Sequence, residues 1–206
     1  MERTDQQAER YRKLKATLKE RGISIPFHHI CNSAASLHRA EDYYDGVRVG
    51  ILLYGGCVPE QERLPLLPVM RLKSVISHLH TLLPGEKISY GGTYSSEVTR
   101  TVATLPIGYA DGLLRGYSGA TVLVHTAAGN FAAPIVGRIC MDQCMIDVTD
   151  TCAAVGDTVT FFGTAVGQLS AYAKRAGTID YECLCLISSR VTRYYVDFTD
   201  TTKKGV

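Results

Sequence analysis

Between residues 69 and 162 the chain is cut into short runs by Gly, Pro, Asn and Asp, and this punctuation limits the folds open to it. Val69–His80, Val98–Leu105, Thr121–His125, Ala132–Val136, Ile139–Val148 and Thr158–Phe162 are apolar or β-branched and read as strands. Strands of this length and spacing predict an antiparallel sheet or a small barrel. Ala127-Ala128-Gly129-Asn130 reads as a hairpin turn between two of them. Gly167–Ala176 reads as a short helix stopped by Gly177, Tyr181–Ser188 as another, and Val191–Phe198 as a closing strand. No internal repeat or low-complexity tract interrupts the pattern.

Pro59, Pro65 and Pro68 mark a linker, and the texture before it differs. Thr4–Gln7 reads as a capping box, Ala8, Tyr11, Leu14 and Leu18 recur at helical spacing, and Gly22 suits a C-terminal cap. Ile23–Ile30 reads as a buried strand running into the small, polar Cys31-Asn32-Ser33-Ala34-Ala35. Val47–Tyr54 is a near-continuous apolar run, as expected of a strand covered on both faces. Arg48 is the anomaly within it, since a buried charge needs a partner. Strand, short helix, strand at this spacing reads as the end of a β/α barrel. The expected class is thus mainly β with an α/β N-terminal part: residues 1–58 as the remnant of a barrel, residues 59–206 as a β-domain.

The net charge of +2 on 206 residues gives no electrostatic reason to expect nucleic acid or an acidic membrane. No apolar run approaches a membrane span, and the first residues are too polar for a signal peptide, so a cytoplasmic protein is expected. The seven cysteines form no Cys-x-x-Cys pair and read as small buried hydrophobes in a reducing compartment. His28-His29 would point to opposite strand faces, while His78 and His80 share a face without a third ligand, so no metal is expected.

Chemistry concentrates in Lys87–Gly112, KISYGGTYSSEVTRTVATLPIGYADG. Tyr90 sits before Gly91-Gly92, and Tyr109 before the turn dipeptide Asp111-Gly112. A phenol fixed on a rigid turn can donate or accept a proton if its pKa is lowered. Both tyrosines can equally be read as hairpin aromatics with half-buried rings.

ISYGGTY, then LPIGYADG, then IVGRICMDQCMIDV resemble the C-terminal domain of alanine racemase, a pyridoxal-phosphate isomerase. HHICNSAAS and VRVGILLYG are similar to the last two barrel strands of that family, and GTIDYE with RVTR to its closing segment. The resemblance implies an enzyme that interconverts L- and D-alanine through a pyridoxal phosphate aldimine, D-alanine feeding cell-wall peptidoglycan. It implies Ser33 and the amides of Gly50 and Ile51 on the cofactor phosphate, with Asn32 lining the same site. It implies Arg48 facing the pyridine nitrogen, an always-protonated partner that would leave that nitrogen without a proton. Tyr90 takes the place of the catalytic tyrosine, acting across a homodimer in the partner's active site. Tyr109 matches the second tyrosine, lining the substrate entrance. Met141 and Asp142 match a substrate-carboxylate amide and an entryway carboxylate.

The family's Schiff-base lysine lies in a Lys-Ala-Asn-Ala-Tyr-Gly-like motif that these 206 residues lack, and Ser189 stands where some members have a phosphate-binding tyrosine. The chain therefore resembles the C-terminal two-thirds of such an enzyme and is expected to be inactive alone; either an N-terminal barrel chain completes it, or it is a fragment whose barrel remnant rearranges. Two other readings stand beside this one: a non-catalytic β-domain that mediates dimerisation or docking, and a racemase for serine or another amino acid.

Overall fold

A computed structural model describes residues 2–56, 65–165 and 168–196. The chain divides into two compact units, residues 1–69 and 70–206.

In the first unit, helix α1 (Glu2–Glu20) begins two residues before the expected capping box, so Thr4 lies inside its first turn. Its end is as the sequence suggests. Gly22 adopts φ +72°, its amide donates to Lys19 and the Ile23 amide to Leu18, a Schellman closure. Only Ala8 is buried on α1. Charge holds the helix down: Asp42, 2 % exposed, accepts from Arg39 Nε at 2.7 Å and from Arg12 Nη2 at 3.4 Å, so its buried carboxylate is paired.

Strand β1 (His29–Asn32) pairs in parallel with β2 (Gly46–Arg48). The expected buried strand over Ile23–Ile30 is instead an exposed approach, with only its last two residues in β1. Val47–Tyr54 likewise splits: the strand stops at Arg48, and Ile51–Tyr54 winds into a 3₁₀ turn ended by Gly55 at φ +72°. Periodicity cannot separate these outcomes, because a short apolar run suits either. Arg48 is exposed rather than buried.

The second unit is built on β3 (Leu72–Val75), β4 (His78–Leu82), β7 (Arg100–Leu105), β8 (Thr121–Thr126), β9 (Gly129–Val136), β10 (Cys144–Asp147) and β11 (Thr158–Phe162). These seven strands form one antiparallel sheet in the order β3-β11-β8-β9-β10-β7-β4. β5 (Lys87–Ile88) and β6 (Tyr94–Ser95) form a separate ribbon. The two outer strands of the large sheet, β3 and β4, are separated only by Ile76 and Ser77. The Ile76 amide donates to Asp157 beside β11, and the Ser77 amide to Thr104 on β7. One bent segment thus serves both edges and brings the two ends of the sheet together.

The inner face follows the two-residue alternation of a pleat. In the β8–β9 hairpin Val122, Val124, Ala133 and Ile135 are all at most 2 % exposed. The turn between them falls on Ala127-Ala128, the first half of the expected turn, while Gly129 and Asn130 already pair in β9. Helices α2 (Gln168–Ala176) and α3 (Asp180–Cys185) follow the last strand. Tyr172 of α2 enters the core edge-on to Tyr117, ring centroids 4.9 Å apart, and its hydroxyl donates to Thr121 O. Residues 191–196 are irregular where a closing strand was expected; Asp197 and Phe198 lie outside the described residues. Cys31, Cys140, Cys144 and Cys183 are buried, but Cys152 and Cys185 are exposed, against the expectation for all seven; Cys57 lies outside the described residues.

Candidate functional site

In the second unit the β5–β6 ribbon carries Tyr90 at its tip. Ile88 and Tyr94 pack on Leu82, Val102 and Val136 of the large sheet, which fixes the ribbon's base. Tyr94 Oη donates to Asp147 Oδ2 at 3.0 Å, and Arg100 Nε lies 3.7 Å from the same oxygen. Burial, then the hydrogen bond to the Asp147 carboxylate, pushes the Tyr94 phenol up, which keeps it a donor. The tip is a four-residue turn closed by Gly92 N–H to Ser89 O at 3.0 Å, with Gly91 at φ +75° as a type II turn requires. Tyr90, beside it, is 73 % exposed, not half-buried as a packed hairpin aromatic would be.

Ser89 has φ +69°, one of three side-chain-bearing residues in that region among those described. Its hydroxyl accepts from the Arg138 amide at 2.8 Å and donates to the Arg138 carbonyl at 2.9 Å. The Arg138 guanidinium lies along Gly91, where a Cβ would sit 3.3 Å from Nη1.

The loop that receives this contact, residues 137–143, also receives the second tyrosine. The amides of Tyr109 and Ala110 donate to Cys140 O and Met141 O, each at 3.0 Å. Asp111, 8 % exposed, accepts from the Gly108 amide and so closes the 3₁₀ turn Tyr109–Asp111 on itself. Gly108 is needed for contact rather than conformation: a Cβ there would lie 2.3 Å from both loop carbonyls. Met141 and Asp142 are exposed at the outside of the loop. Arg190 spans two of these pieces, with Nη2 2.9 Å from Asp142 Oδ1 and Nε 3.5 Å from Asp111 Oδ1. Tyr90, Tyr109, Met141 and Asp142 are therefore all carried on or strapped to one loop.

The candidate cofactor residues form a cluster within the first unit. Ser33, 4 % exposed, accepts the Gly50 amide on its hydroxyl oxygen at 2.8 Å. Ile51, buried, opens the 3₁₀ turn after Gly50. Asn32 Oδ1 accepts the Ala35 amide and turns the chain out of β1. Arg48, opposite Asn32 in the β1–β2 register, donates from Nη1 to His29 Nδ1 at 2.9 Å. That bond, not a buried anion, is its partner, and it fixes Nδ1 of His29 as the acceptor nitrogen.

Sequence reasoning placed the tyrosines on turns but passed over Ser89, Arg138 and Arg190 as contributors. Serine is not a usual residue at positive φ, and Arg138 stands 49 positions from it, beyond any local pattern. The Gly of Val-Gly-Arg was the one available signal. Gly137 has φ +67°, and a Cβ on it would lie 2.6 Å from the Ser89 Cβ.

Family comparison matches residues 69–195 to the C-terminal domain of alanine racemase and residues 1–58 to its N-terminal domain. An alanine racemase of Methanococcus maripaludis is 44 % identical over 186 residues, covering 87 % of this chain and 49 % of that protein. Alanine racemase 1 of Clostridium acetobutylicum is 42 % identical over 195 residues, covering 90 % of this chain and 49 % of its own. Among solved structures, the alanine racemase of Clostridium difficile 630 in complex with cycloserine superposes with a TM-score of 0.83 at 42 % identity. It matches 92 % of this chain and 51 % of its own. The alanine racemase of the D-cycloserine producer Streptomyces lavendulae gives a TM-score of 0.85 at 33 % identity, over 93 % of this chain and 51 % of that one. The chain spans about half the length of the curated relatives it matches, less than the two-thirds expected from the sequence.

Proposed function

This chain belongs to the alanine racemase family, and from that we propose that its 206 residues contribute one proton-transfer residue and the phosphate cradle of an enzyme interconverting L- and D-alanine. The observation that carries the reading is Tyr90: a solvent-reaching phenol on a turn fixed by packing at its base and by two hydrogen bonds at Ser89. A catalytic acid or base needs that combination of access and fixed position. Tyr90 would move the proton at one face of the substrate Cα, in the active site of the other subunit of a homodimer. The base for the opposite face comes from outside these residues, whose eight lysines sit in no matching context.

The residues present suit a phosphate. Ser33 offers a hydroxyl whose oxygen draws the Gly50 amide to the same spot, and Ile51 begins a 3₁₀ turn, whose first amides have no carbonyl of the turn to bond. Ser33, Gly50 and Ile51 would hold the phosphate of pyridoxal phosphate, with Asn32 shaping the adjoining turn. Arg48 would face the ring nitrogen and withhold a proton from it. That group, when bound, supplies the electron sink that makes the substrate Cα–H acidic. Met141 would present its amide to the substrate carboxylate, its carbonyl being engaged by Ala110. Tyr109 and Asp142 would line the way in.

On this reading residues 1–58 are the last strands of a β/α barrel and residues 59–206 the β-domain that meets the partner subunit. The enzyme would be cytoplasmic and its D-alanine would serve peptidoglycan synthesis. Tyr90→Phe tests the reading in the chain complemented by the N-terminal portion of the Clostridium acetobutylicum relative. The exposed ring predicts an unfolding midpoint within about 0.5 kcal/mol of the parent, with turnover down by about 10²–10⁴-fold. Undiminished turnover would remove Tyr90 from the mechanism and leave the chain as a docking β-domain. Faster turnover of L-serine than L-alanine by the parent would instead move the reading to another substrate.

A further inference from the structure

We propose that Ser89 is a positioning residue for Tyr90, its hydroxyl strapping the tyrosine turn to the loop that carries Met141 and Asp142. The inference rests on the proton-transfer role proposed for Tyr90 and concerns what fixes that phenol in place. One hydroxyl takes both polar groups of a single backbone residue, accepting from the Arg138 amide at 2.8 Å and donating to its carbonyl at 2.9 Å. Both bonds lie in an exposed setting, so water could satisfy those groups as well. Water could not fix the distance between two loops.

The local backbone is shaped to permit this contact. Ser89 occupies φ +69°, a conformation that L side chains disfavour and that persists where the surroundings over-determine it. Gly137, at φ +67°, leaves the space in which the serine methylene sits, since any Cβ there would lie 2.6 Å from it. Threonine would keep the hydroxyl but add a β-branch where φ is positive. Asparagine tolerates that φ, but neither of its polar atoms can both donate and accept. Serine alone joins small size to a two-way hydroxyl.

Position passes directly to the reacting group. Ser89 is the first residue of the turn closed by Gly92 N–H to Ser89 O, and Tyr90 is the second. The same loop takes the Tyr109 and Ala110 amides on Cys140 O and Met141 O. Ser89 thereby sets where Tyr90 stands relative to Tyr109 and Met141, and a displacement of about 1 Å in such a constellation costs on the order of 10²-fold in rate.

Two variants separate positioning from backbone conformation. Ser89→Ala removes the hydroxyl and keeps the strain, whereas Ser89→Gly removes both. Amide exchange at Arg138, measured by NMR in the 206-residue chain, is expected to accelerate about tenfold or more in each variant. In the complemented enzyme kcat should fall about 10–100-fold in both, with KM within about twofold. The glycine variant should show this loss even though its unfolding midpoint is no lower than that of the alanine variant. Unchanged exchange at Arg138 would overturn the strap. Full turnover in Ser89→Gly beside lost turnover in Tyr90→Phe would overturn the positioning role and leave the Tyr90 reading intact. Full turnover in Tyr90→Phe would overturn the reading and this role with it.

Discussion

Gly108→Ala would test whether the turn of Tyr109 is held against residues 140–141 as closely as the geometry implies. Gly108 has φ −147°, extended backbone that alanine adopts freely, so the substitution introduces contact and nothing else. The new methyl would sit 2.3 Å from Cys140 O, 2.3 Å from Met141 O and 2.5 Å from the Met141 carbonyl carbon. Ordinary contact requires the two segments to part by about 1 Å. Those carbonyls accept the Tyr109 and Ala110 amides at 3.0 Å each, and parting by that much breaks both bonds. Each is worth about 0.5–1.5 kcal/mol, and forcing a methyl into a packed site costs about 1–3 kcal/mol more. The loss should therefore be about 2–6 kcal/mol, which at about 2–4 °C per kcal/mol lowers the thermal midpoint by at least about 4 °C. Circular dichroism melts of parent and variant read this directly. A midpoint within about 1 °C of the parent would show that the turn and the loop can separate without loss, and the close-contact argument would fail.

Two further outcomes follow from burial and charge. Iodoacetamide at about pH 8 should alkylate the exposed Cys152 and Cys185 of the folded chain first, while Cys31, Cys140, Cys144 and Cys183 wait for unfolding. Burial, with Cys140 nearby, pushes the Cys144 thiol up to about 12, so prompt labelling of Cys144 in peptide maps would contradict the packing described. Burial works to raise the Asp147 carboxyl, but bonds from the Thr149 hydroxyl and amide and from Tyr94, with Arg100 beside it, outweigh this and lower it. A lowered group contributes stability in full above its unfolded value, near 3.8, and loses it as pH falls through the folded one. Asp147→Asn should thus flatten the acid limb of urea stability below about pH 4, and a limb as steep as the parent's would rule out that source.

The β-domain was legible because its information is local. Alternating apolar residues, the Ala127-Ala128 turn and the glycines after Tyr90 each declare themselves within a few positions. The N-terminal unit was read less well for the same reason. Val47–Tyr54 is equally apolar as a strand or as a 3₁₀ turn, and Arg48 was placed inside a strand that ends on it. At the candidate site the motifs marked Tyr90, Tyr109 and Asp142 but not what holds them. Ser89 to Arg138 and Arg190 to Asp142 span 49 and 48 positions, and no periodicity links residues that far apart.

The bent segment at Ile76 and Ser77 also orders events in time. β8 and β9 join across two residues and can zip as soon as they exist, but β3 meets its partner β11 only after residues 158–162 are made. Until then a growing chain presents the flank of β3 with its amides and carbonyls open, the state in which a β-protein is most prone to pair with a neighbour. The β3–β11 pairing is thus a late, long-range step, and it covers the flank of β3 through which two unfinished chains could find each other.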